Sequence, residues 1–63
     1  MNYNILINPF INIIKDKFNS TINYYDANEF INNSVNSLKL NNKILTKEDS
    51  KIILNHSINL YNN

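Results

Sequence analysis

The chain has 63 residues, a formal net charge of +1 and no cysteine. That length allows one domain, near the lower limit for folding alone, and the missing thiols exclude disulfides and thiolate metal sites. So small a charge is poor equipment for gripping a phosphate backbone, and with a single histidine an ordinary zinc site would need carboxylates as its other ligands.

Sixteen residues are Asn and eleven are Ile, while Gly and Arg do not occur and Ala and Pro occur once each. Residues with AT-rich codons replace those with GC-rich codons, so genome base composition accounts for the bias. It points to an AT-rich source, such as a low-GC bacterium, its phage or plasmid, an organelle or a virus. The Asn residues fall inside regular apolar patterns, which is not the arrangement of a prion-like tract. No apolar run is long enough to span a membrane. The first residues carry neither a basic segment nor a small-residue cleavage site, so the expected location is the cytoplasm or a host-cell interior.

Residues 3–7, Tyr-Asn-Ile-Leu-Ile, come first. A lone strand would have no partner strand, so a helical or irregular N-terminal arm is expected. A first helix is predicted over about 9–24. Asn8 suits the N-cap and Pro9 the first helical position, where its missing N–H would be unpaired anyway. Phe10, Ile11, Ile14, Phe18, Ile22 and Tyr25 then recur at steps of three and four.

A second helix is predicted over about 27–40. Asp26 and Glu29 have capping-box spacing, and Tyr25 and Phe30 can form a hydrophobic staple around them. Its apolar stripe, Ala27, Phe30, Ile31, Ser34, Val35 and Leu38, contains small residues and lets a neighbouring helix come close. With no Gly in the chain, Asn41-Asn42 should supply a left-handed stop.

A third helix is predicted over about 47–61, capped by Thr46, with Glu48 and Asp49 in its first turn. Ile52, Ile53, His56 and Leu60 project to one side, and Leu54, Ile58 and Tyr61 to nearly the opposite side. The fold class that follows is all-α, a three-helix bundle with an N-terminal arm.

About nine Asn residues lie inside these helices, at roughly 0.6 kcal/mol each against Ala. The sum is on the order of 5 kcal/mol, as large as the whole stability expected of such a domain. Packing must hold these helices. Leu54, Ile58 and Tyr61, with Ile5, Leu6 and Ile7, exceed what one small core needs. Either the arm folds over that second side of helix three, or the surface meets another chain. The second reading makes Leu54, Ile58, Tyr61, Ile5 and Ile7 the candidate partner-binding residues.

No catalytic site, cofactor site or metal site is expected. His56 lies between Ile52 and Leu60 on an apolar side and reads as a hydrogen-bonded core or boundary residue. Ser57 is its neighbour in sequence but points elsewhere on a helix. Four of the five carboxylates read as helix-start residues, which leaves no acid/base pair. Without Gly there is no phosphate-cradling loop of the usual kinds.

Lys39, Lys43, Lys47 and Lys51 form a basic edge around the second turn, the best candidate for nucleic-acid binding. Glu48 and Asp49 dilute it, and a helix that opens with two acids and carries no Arg is ill suited to reading base edges.

The expected function is therefore a non-enzymatic protein-protein interaction module. It would self-associate or bind a larger protein as an inhibitor or regulator, encoded by a phage or other mobile element of an AT-rich genome. The alternatives are an accessory subunit of a larger assembly and a nucleic-acid-binding regulator.

Overall fold

The computed structural model of the chain describes residues 3–63. A 3-10 turn, Asn4–Leu6, leads directly into α1 (Ile7–Phe18), followed by α2 (Tyr24–Ser37) and α3 (Lys47–Asn62). This is the expected all-α three-helix bundle. The Phe18 ring meets Tyr61 at one end. At the other end the Tyr3 hydroxyl donates to the Leu40 carbonyl over 3.3 Å. The helices thus run up, down and up, over a body of 32 × 20 × 19 Å.

The boundaries of the first two helices differ from expectation, each for a local reason. Helix α1 begins two residues before Pro9, because any residue of the first turn can lack an N–H without losing a helical bond. It ends at Asn19, which takes the left-handed conformation with φ 52°. Ile22 therefore belongs to the connection, where it is buried, and Tyr25 to α2, where it is exposed.

Helix α2 begins a turn earlier than expected, capped by Asn23 rather than Asp26. The Asp26 backbone N–H donates to Asn23 Oδ1 over 2.8 Å. Asn23 Nδ2 donates back to Asp26 Oδ2 over 3.2 Å. The buried pair flanking this cap is Ile22 and Ala27, at the staple positions, in place of Tyr25 and Phe30.

The end of α2 also departs from expectation. Lys39, with φ 58°, occupies the left-handed position expected of Asn41-Asn42. Its N–H donates to the Asn36 carbonyl, and the Leu40 N–H donates to the Val35 carbonyl over 3.0 Å, which completes a Schellman motif. Leu40 is thereby turned back onto the core. Asn42 is also left-handed, φ 59°, but within the connection. Asn41 Nδ2 donates to Asn36 Oδ1 and ties that connection to α2.

The core is Leu6, Ile7, Phe10, Ile14, Ile22, Ala27, Ile31, Val35 and Ile53. On α3 the innermost line runs through Ile53 and Ser57, both fully buried. Leu54, Ile58 and Tyr61 pack half-buried on one flank of that line, with His56 and Leu60 half-buried on the other. The two opposite apolar sides expected of this helix are one broad inward arc whose centre is a serine. All nine Asn residues of the three helices avoid the core, and Asn28 alone among them is half-buried.

Helix α3 starts as expected. Thr46 Oγ1 accepts from the Asp49 N–H and the Asp49 carboxylate accepts from the Thr46 N–H, both over 3.0 Å. The Thr46 N–H above all, and then the Lys43 ammonium at 3.2 Å, hold the Asp49 carboxyl below its ordinary value of 3.8. A depressed carboxyl stabilises the fold above its ordinary pKa, and this contribution fades as pH falls through the folded-state value.

Two predictions follow from these helix ends. Lys39→Gly should raise stability by about 0.5–1 kcal/mol, because Gly takes the left-handed conformation without a Cβ clash; an unchanged or lowered urea midpoint would refute the Schellman assignment. Acid titration followed by circular dichroism should show wild type losing stability below pH 4 more steeply than Asp49→Asn. Parallel curves would remove Asp49 as a contributor.

Candidate interaction surface

Between α2 and α3 lies a buried polar cluster that superficially has the parts of a catalytic pair. His56 Nδ1 is 2.9 Å from Ser34 Oγ. Ser34 Oγ is 2.8 Å from Ser57 Oγ. Ser57 Oγ donates to the Ile53 carbonyl over 2.8 Å, with the Phe30 carbonyl at 3.4 Å. Carbonyls only accept, so the single Ser57 proton is committed to them. Ser34 must then donate to Ser57, and His56 must donate its Nδ1 proton to Ser34. The direction is fixed along the whole chain of bonds.

In that direction His56 is a donor to serine and not a base acting on it. Ser34 is also fully buried, so no substrate reaches its oxygen. The cluster satisfies polar groups at a close helix crossing. A double-mutant cycle by urea denaturation tests this. Ser34→Ala and Ser57→Ala should each cost about 1 kcal/mol, and the pair less than the sum, since joint removal leaves fewer orphaned groups. Additive losses would show that the two hydroxyls act separately.

The residues singled out from the sequence for partner binding do not form one patch. Ile7 is fully buried in the core. Ile5 is 72% exposed but lies with the 3-10 turn, at the end of the bundle away from Tyr61. Leu54 and Ile58 are half-buried against the core. Of the basic edge, Lys43 is paired with Asp49, and Lys39, Lys47 and Lys51 are exposed around the α2–α3 connection.

Tyr61 joins a different surface. Its ring packs 5.2 Å from Phe18 and, edge on, 5.8 Å from Phe30, and Phe30 in turn lies 5.9 Å from Phe10. The four rings make a continuous row from the core outward. Where it reaches the surface, beside the α1–α2 connection, there is an open groove of about 650 Å³. That is within the usual size range of binding clefts. Phe30, Tyr61 and Ile22 floor it, and Tyr25, Asp26 and Glu29 rim it. Tyr25 is 71% exposed. Two carboxylates and no lysine belong to its lining.

In the sequence the rim residues read as helix-start residues, so the groove has no signal of its own there. Once Asn23 is the cap, Glu29 is released to the exposed face of α2. Tyr25, no longer paired with Phe30 across a helix start, projects beside it. The signal that could have found it is Asn23, three residues before Asp26, in the same spacing as Thr46 and Asp49.

Among the described residues no group of three His, Cys, Asp or Glu side chains could hold a metal ion, and no helix is long and apolar enough to cross a membrane. Comparison with protein-family models, with curated proteins and with solved structures yields no match for the chain.

Proposed function

We propose that this chain is a non-catalytic protein-binding module, and that the groove between the α1–α2 connection and Tyr61 is its contact surface. The observation that carries the reading is the groove's make-up. Aromatic rings supply large apolar contact area with little conformational entropy to lose, and Tyr keeps a polar end for the wet edge. An exposed Tyr25 standing over half-buried Phe30 and Tyr61 is that combination.

The buried Ser34 and its donor His56 support a structural role for the one histidine, so the reading involves no catalysis. The lysine edge supports nucleic-acid binding less well, because Lys43 is neutralised by Asp49 and Glu48 stands beside Lys47. A regulator or inhibitor encoded by a mobile element fits the chain's size and AT-rich codon usage, and permanent seating in a larger assembly would use the same groove.

The test is affinity capture with the chain as bait in extract of its native source, beside Tyr25→Asp. A stoichiometric protein retained by wild type should be lost with the variant, while circular dichroism shows the same helix content. If no polypeptide, its own included, binds in a Tyr25-dependent way, the proposal fails.

A further inference from the structure

We infer that the groove's occupant is a second copy of this chain, inserting its α2–α3 connection with Ile44 foremost; this rests on the groove being a protein-binding surface. Ile44 is 85% exposed, the most exposed of the large apolar side chains among the described residues. Nothing in the connection's own packing needs it there, whereas its neighbours Leu40 and Leu45 turn inward onto the core. An isoleucine held outward on a tied turn is an apolar knob without a socket. The groove is a socket with aromatic rings among a polar and acidic lining, and no side chain of its own fills it.

Charge matches the two. The connection that carries Ile44 is flanked by exposed Lys39 and Lys47, with Lys43 already paired with Asp49 and Glu48 beside Lys47, and at the groove's rim stand Asp26 and Glu29. Lys15 and Lys17, in the last turn of α1, do not belong to the groove's lining. With Ile44 against Phe30 and Tyr61, the lysines of one copy face the carboxylates of the other. Such complementarity fixes register and speeds encounter more than it adds affinity. It is screened by salt.

Geometry makes the contact intermolecular. The groove lies at the α1–α2 end and Ile44 at the α2–α3 end of a body 32 Å long, so no copy reaches its own groove. Knob and socket lie at opposite ends of the body, so two antiparallel copies can exchange both contacts in a closed pair, while a head-to-tail arrangement would propagate into rows or rings.

Sedimentation of the purified full chain tests this. The mean mass should rise with concentration from that of a monomer to that of a dimer or beyond, and fall back at high salt. Ile44→Asp destroys the knob and Tyr25→Lys, which removes the rim's aromatic ring and puts a repelling charge in its place, destroys the socket; both sites are exposed, and circular dichroism should show each variant folded. Each variant alone should be monomeric. Mixed, they should form a dimer that grows no further, because one intact knob meets one intact socket. A wild type that stays monomeric, an oligomer of any kind indifferent to both substitutions, or a mixture that stays monomeric would each overturn self-docking. If wild type stays monomeric while Tyr25→Asp still abolishes capture of a foreign protein, only the identity of the occupant is wrong. If both experiments fail, the groove is not a protein-binding surface at all.

Discussion

Everything in this bundle depends on how closely α2 and α3 approach, and that is set by two serines. Ser34 and Ser57 meet with their oxygens 2.8 Å apart, both fully buried. Larger side chains at either position would push the helices apart. A pair of alanines would keep them close but give the crossing no direction. The hydroxyls link His56 on one flank of α3 to the Ile53 carbonyl on the helix itself. With that axis fixed, Ile53 enters the core beside Ile31 and Val35, and Tyr61 is carried to the edge where Phe18 and Phe30 receive it. No buried polar side-chain atom of the described residues lacks a partner. A chain this short has no margin for such a loss.

The fold was legible wherever a single physical pattern dominated. Helix α3 could be drawn nearly to its ends, because Thr46 and Asp49 satisfy each other and no competing cap stands nearby. The α2 stripe was right because its small residues mark a close crossing. Where two patterns competed, the sequence alone was ambiguous. Asn23 and Asp26 are both good caps, and only the packing of Ile22 and Ala27 chooses between them. The run from Phe10 to Tyr25 keeps helical spacing through a left-handed Asn19, because spacing carries no record of a reversal in backbone handedness. On α3, Ser57 could not be recognised as the centre of the buried arc. A hydroxyl counts as polar in any periodicity, and its partner Ser34 lies 23 residues away. The groove was hidden for the same reason as the α2 cap, since its rim residues had a local explanation that turned out to belong to Asn23.

The two ends of the molecule are chemically unlike. One carries half-buried rings, with Asp26 and Glu29 beside Lys15 and Lys17; the other carries Lys39, Lys43 and Lys47 beside Glu48 and Asp49, and outward aliphatic side chains, Ile5 and Ile44. In a chain with so many Asn residues on its solvent faces, these are the places where the surface stops being bland. Affinity concentrated in a few aromatic and aliphatic anchors, ringed by neutral amides, is the usual energetic layout of a binding surface. On the proposed reading, the amides would add little attraction of their own and leave the anchors to select a partner.

The turns of this protein are made without glycine, and three of its residues, Asn19, Lys39 and Asn42, carry a side chain into the left-handed region. Each costs the native state something that glycine would have avoided. The same choice acts on the denatured chain, which never gains the extra backbone freedom that glycine brings and so has fewer random conformations to give up on folding. Part of the apparent strain at the helix ends is thus offset before folding begins, and the absence of one residue type becomes a thermodynamic property of the unfolded ensemble.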